Sequence, residues 1–170
     1  VVPILNIPDE NNINKNYVFG TTEKKDKIIL YQIQNGGFIL LWEYRFDLNK
    51  NIDFIDCKAG DITGNGKQEV IVIIYSQEFK NQIYIFKTDN KIPLANPEIY
   101  SIDSIHESAE PIQTQLIPYD EDKDVELLIS FASPARKIIM FDYAVDDLIA
   151  TQSIGNDFLG ETWGPVFFTT

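Results

Sequence analysis

Two stretches of this chain repeat one another: QEVIVIIYS at Gln68 to Ser76 and VELLISFAS at Val125 to Ser133, each entered through a glutamate, Glu69 and Glu126. Recurrence at a fixed period constrains a fold more tightly than local propensity does, because each unit must bury its apolar face against the next. Each run is followed by a polar turn and a second strand-like run, NQIYIFK at Asn81 to Lys87 and RKIIMFDY at Arg136 to Tyr143. An earlier copy reads NYVFGTT at Asn16 to Thr22 and then DKIILYQ at Asp26 to Gln32. Aligning Tyr17, Val70 and Leu127 gives spacings of 53 and 57 residues. A unit of about 55 residues suits four short strands with their turns.

The other two strands of each unit follow from the same template. FILLWEYRF at Phe38 to Phe46, entered through Gly36-Gly37, is the outer strand of the first unit, with counterparts EIYSIDSI at Glu98 to Ile105 and LIATQSI at Leu148 to Ile154. The strands that precede the glutamate-entered runs are PILNI at Pro3 to Ile7, IDFIDCKA at Ile52 to Ala59 and PIQTQLI at Pro111 to Ile117. Gly164 to Thr170, GPVFFTT, has the look of the same strand opening a fourth unit. Hydrophobic runs are short, β-branched and aromatic, and Gly, Pro, Asn and Asp punctuate them, so no helical pattern competes. The expectation is an all-β chain of β-propeller-type, four-stranded antiparallel blades, about three blades plus one strand, in units 1–48, 49–108, 109–160 and 161–170. The alternative is a β-sandwich, with the strands in two sheets and no true repeat.

Oxygen-rich loops join the first and second strands of the units. In GDITGNGKQE, Gly60 to Glu69, the side chains of Asp61, Thr63, Asn65 and Glu69 stand at odd spacings and can converge on a cation, with Lys67 offering its backbone carbonyl. Gly64 and Gly66 permit the bends this needs. The same residues also read as a metal-free turn in which Asp61 caps backbone N–H groups. The second loop, PYDEDKDVE at Pro118 to Glu126, brings Asp120, Asp122, Asp124 and Glu126 together but lacks both glycines. Mutual repulsion of four carboxylates favours a cation there, and solvated acids on a turn are the other reading. The first unit's loop, PDENNINKN at Pro8 to Asn16, lacks glycine and the closing carboxylate.

The Gly60 to Glu69 loop resembles the cation loop of FG-GAP and VCBS-type repeats, the units of integrin-like β-propellers, whose usual form is D-x-D-G-x-G-x-x-D/E. Thr63 and Asn65 stand where that pattern has carboxylates. The repeat pattern covers nearly all of the chain, whereas the loop motif is good in one unit of three. The resemblance implies a Ca2+-stabilised, non-enzymatic binding or scaffold module of an extracellular or cell-surface protein, engaging protein or carbohydrate ligands. With two carboxylates in the first loop, the expected affinity is weak, on the order of 10⁻⁴ to 10⁻³ M. The alternative from another class is the propeller portion of a carbohydrate-active enzyme.

Composition sets limits on partners. A formal net charge of −12 repels phosphate backbones and anionic lipid, and the one basic run, Lys24-Lys25-Asp26-Lys27, is broken by an acid, so nucleic acid is not an expected partner. No stretch approaches the roughly 20 apolar residues of a membrane-spanning helix. Cys57 is the sole cysteine and His106 the sole histidine, which leaves neither an internal disulfide nor an evident nucleophile and base. The acidic pair Asp146-Asp147 and the sugar-stacking surfaces Trp42 and Trp163 are the remaining features with enzymatic precedent, and Trp burial between blades is the competing use. No catalytic residue is assigned. Three blades fall short of the four to eight of a closed propeller. The chain, which begins Val1-Val2-Pro3, is therefore expected to be a processed or excised part of a longer propeller, joined by its remaining blades, or else to close a ring as a homodimer.

Overall fold

Runs of Ile, Val and aromatic residues a few positions long can satisfy their backbone groups and bury their side chains together only by pairing edge to edge, and the chain does this strand after strand. The computed structural model describes residues 4–8, 14–46, 51–78, 80–89, 92–102, 110–120, 122, 124–131 and 137–154. Among these residues there are strands and no helix. The first sheet holds β1 (Ile4–Pro8), β2 (Asn14–Thr21), β3 (Lys27–Gln34) and β4 (Gly37–Arg45) in chain order. The second holds β5 (Phe54–Gly60), β6 (Glu69–Ser76) and β7 (Lys80–Phe86). A short hairpin, β8 (Thr88–Asp89) and β9 (Ile92–Pro93), comes next in the chain, and β10 (Glu98–Ser101) then completes the sheet beside β7. The third holds β11 (Pro111–Ile117), β12 (Glu126–Phe131), β13 (Ile138–Ala144) and β14 (Asp147–Ile154). All pairings are antiparallel, and no sheet closes into a barrel.

The strands expected from the pattern fall within a residue or two of those observed, with one exception. Of the segment expected to pair from Glu98 to Ile105, Glu98–Ser101 forms β10 and the Ile102 N–H still reaches the Asn81 carbonyl at 3.1 Å, while residues 103–105 lie outside the described residues. The β8–β9 hairpin has no counterpart in the repeat template. His106, Trp163 and the Gly164 to Thr170 strand lie outside the described residues, as does much of the first unit's loop. The turn into β4 is made by Asn35 and Gly36, with φ of 52° and 78°, one residue earlier than the Gly36-Gly37 pair. Two successive positive φ values match the right-handed twist of a hairpin, and Asn-Gly accepts them at least cost.

The sheets lie one on another in three layers. Val70, Val72, Ile74, Tyr84 and Phe86 on one face of the second sheet pack with Tyr17, Phe19, Ile28 and Leu30 of the first. On its other face Ile71, Ile73, Ile83 and Ile85 meet Leu127, Ile129, Ile139 and Phe141 of the third. Strand β6 is accordingly buried along its whole length, which explains why its sequence shows no alternation. One equivalence drawn from sequence changes. Val70 and Leu127 both look back toward the preceding sheet, whereas Tyr17 looks forward to the second. Side chains alternate with period two, so Tyr17 matches the parity of Ile71, and the Tyr17 to Val70 alignment is out by one residue.

Candidate cation-binding loops

Two loops sit at the same end of the second and third sheets, from β5 to β6 and from β11 to β12. The first is built around two carboxylates. Asp61 Oδ1 accepts the Asn65 N–H at 3.0 Å and its Oδ2 accepts the Gly66 N–H at 2.7 Å. Glu69 Oε1 accepts the Thr63 hydroxyl at 3.1 Å and Asn65 Nδ2 at 2.8 Å, while Oε2 accepts the Ile62 N–H at 3.2 Å. Lys67 enters by donating its N–H to Asn65 Oδ1 at 2.7 Å. Gly64, at φ 67°, makes the bend that lets these groups meet. Four of the expected residues thus converge, and every carboxylate oxygen of the loop already has a donor. Burial pushes the Glu69 carboxyl above its ordinary value, against the pull of the Asn65 and Thr63 hydrogen bonds.

The second loop is solved differently. Glu126, with 1 % of its surface exposed, accepts the Tyr119 N–H on Oε2 at 2.6 Å, and its buried Oε1 has no hydrogen-bond partner. Asp120, Asp122 and Glu126 each offer a carboxylate oxygen within 4.8 Å of the others. The Asp122 N–H reaches Asp120 Oδ1 at 3.0 Å. Burial raises the Glu126 pKa most, the N–H groups of Tyr119 and of Glu126 itself oppose it, and the charges of Asp120 and Asp122 add to the rise. Asp122 is also raised, chiefly by its hydrogen bond with the Asp124 carboxyl. Asp124 itself stands outside the group of three and lies against Gly64 of the first loop. An all-oxygen set of three carboxylates, one buried with an orphaned oxygen, fits a hard divalent cation such as Ca2+. Asp120, Asp122 and Glu126 are the residues that would hold it.

A seam joins the two loops. The Val125 N–H donates to the Asp61 carbonyl at 3.0 Å. At the end of β5, a Cβ added to Gly60 would lie 2.7 Å from Leu116 Cδ1 and 2.9 Å from Val125 Cγ2, so any larger residue would have to push these side chains aside. Below it, the Thr114 hydroxyl donates to Asp56 Oδ2, which also pairs with Lys58 Nζ at 3.0 Å. On the outer side Glu98 Oε2 accepts the hydroxyls of Tyr100 at 3.1 Å and Tyr143 at 3.0 Å, and Lys87 Nζ meets Glu98 Oε1 at 2.6 Å. Burial works against the charge on Glu98, but the bonds from Lys87, Tyr143 and Tyr100 outweigh it and hold the carboxyl below its usual value. Nothing in sequence pointed to this cluster, because Tyr143 joins Glu98 from 45 residues away and the members share no motif.

Other residues with enzymatic precedent take structural places. Trp42 is half-buried against the first core, its ring 5.2 Å from that of Phe86. Cys57 is buried, and desolvation with the Asp56 charge pushes its thiol well above the usual range. Asp146 forms part of the β13–β14 turn, and Asp147 Oδ1 accepts the Leu148 N–H at 2.9 Å. The basic run forms the β2–β3 turn, where Lys27 pairs with Glu43 at 3.1 Å. Among the described residues no helix is long and apolar enough to cross a membrane.

Fold and loops together define an all-β protein of layered antiparallel sheets with an acidic loop end. In comparisons with known proteins, no family model, no curated protein and no solved structure matches the chain.

Proposed function

We propose that the chain is a non-enzymatic binding or scaffold module built of propeller-type blades, with a loop end held together by Ca2+ at Asp120, Asp122 and Glu126. The observation that carries this is the buried Glu126, whose Oε1 has no hydrogen-bond partner and whose carboxylate offers an oxygen within 4.8 Å of those from Asp120 and Asp122. A carboxylate oxygen taken out of water without a donor is costly, and a cation offsets that cost. The propeller reading is favoured by the chain-order arrangement of each sheet and by the way β5 and β11, the first strands of adjacent sheets, come within 8 Å between Cα atoms. The layers of an aligned sandwich pack about 10 Å apart face to face.

In this reading the module belongs to an extracellular or surface protein. Its partners are a protein or carbohydrate ligand, or further blades. Thermal melting in 10 mM Ca2+ against chelator tests the cation: the expected outcome is a higher melting temperature in Ca2+ that Asp122→Asn removes. An unchanged melting temperature, together with no heat of Ca2+ binding by calorimetry, would overturn it.

A further inference from the structure

We propose that a cation at Asp120, Asp122 and Glu126 orders the neighbouring Asp61 to Gln68 loop across the seam between the second and third sheets. The proposal rests on the cation reading above and adds a direction of control to it. Asp124 and Val125 lie in the chain between Asp122 and Glu126, so anchoring those two carboxylates anchors the intervening peptide. That peptide makes two of the contacts that cross the seam at the loop end. Its Val125 N–H holds the Asp61 carbonyl at 3.0 Å, and the Asp124 side chain lies where a Cβ on Gly64 would meet it at 3.6 Å.

From Asp61 the link passes into the first loop. Its two carboxylate oxygens hold the Asn65 and Gly66 N–H groups, and Asn65 in turn reaches Glu69. Without a cation, Asp120, Asp122, Asp124 and Glu126 repel one another, and the Asp124-Val125 peptide inherits their disorder. With one, the first loop is steadied although none of its own oxygens need touch the ion. The loop with the better glycine pattern is the follower, and the loop without glycines is the sensor.

Amide hydrogen exchange on the whole chain, with Ca2+ and with chelator, reads the effect at its relevant atoms. The expected result is exchange at Asn65, Gly66 and Val125 slowed at least several-fold by saturating Ca2+, and unchanged by Ca2+ in Asp122→Asn. Asp122 is exposed, so this variant leaves the fold intact. Calorimetric Ca2+ binding with unaltered exchange at Asn65 and Gly66 would overturn the coupling and leave the cation site standing. Loss of Ca2+ binding in Asp61→Asn but not in Asp122→Asn would reverse the direction and overturn the proposal. Absence of any Ca2+ binding would remove the underlying site, and the coupling with it.

Discussion

The two loops occupy the same position in adjacent sheets and reach opposite solutions. Between Gly60 and Glu69, short polar side chains and two bends bring a donor to each carboxylate oxygen. Between Pro118 and Glu126 the glycines are replaced and the loop is crowded with acids, so the closing glutamate keeps one oxygen bare in the interior. A close match to a metal-loop pattern is therefore not the same as a need for metal. What decides is whether the protein's own N–H and O–H groups already meet the oxygens' demand.

The largest effect should come from removing Asp61. Asp61→Ala strips acceptors from two exposed backbone N–H groups and should destabilise by about 3 kcal/mol, the low end for two hydrogen bonds to a charged group at roughly 1.5 to 3 kcal/mol each, because water can replace the lost acceptor. Chemical denaturation should show a loss in chelator as well as in Ca2+, larger in Ca2+ by the coupling between the loops; a loss present only in Ca2+ would erase the contrast between them. Next comes the cation. For a dissociation constant on the order of 10⁻⁴ to 10⁻³ M, 10 mM Ca2+ should stabilise the protein by about 1.4 to 2.7 kcal/mol, or roughly 3 to 11 °C in melting temperature. Asp122→Asn should abolish that shift, and a shift that survives it would move the ion elsewhere.

Smaller still is Gly64→Ala. A Cβ has ordinary contact distances to Asp124 there, so the cost is that of the positive φ, about 1 kcal/mol, measurable by urea unfolding. A loss several times greater would mean that the seam is packed more tightly than the two loops' contacts imply. The smallest effect is a pH slope in chelator. Because the folded Glu126 pKa lies above the unfolded one, the protonated form favours folding. That advantage is fully present below the ordinary value of 4.5 and is lost as pH rises through the folded pKa. Glu126→Gln should match the parent protein in stability at acid pH and exceed it slightly at neutral pH, while losing the response to Ca2+. Equal pH profiles in parent and variant would show that Glu126 pays no penalty for its burial.

Much of the fold was legible because strand and turn signals are local. β11 was readable to the residue from PIQTQLI between its proline-marked ends. The β8–β9 hairpin was not, since two-residue strands carry no periodicity. The parity of the first sheet was missed for a related reason: Tyr17 and Phe19 are apolar residues spaced like Val70 and Val72, and which face they serve is set by the neighbouring sheet. At the loops, residue types announced where carboxylates would gather but not which would be satisfied. That depends on Thr63 and Asn65 reaching Glu69 while no donor reaches Glu126 Oε1, a matter of side-chain aim. The Lys87–Glu98–Tyr143 clamp was invisible altogether.

The burial of β6 on both faces carries a liability for assembly. A strand with one wet face polices its own alignment, because sliding by one position would drive polar groups inward. Val70 to Tyr75 lack that safeguard: every one of these side chains is apolar or aromatic, and each finds oily surroundings whichever way it points. The correct alignment is instead marked at the strand's first residue, where Glu69 finds Ile62, Thr63 and Asn65 waiting as donors and a displaced neighbour would not. The polar turn thereby acts as an index mark for the most hydrophobic strand of the protein, and substituting Glu69 should show itself in misfolded yield before it shows in any ligand bound.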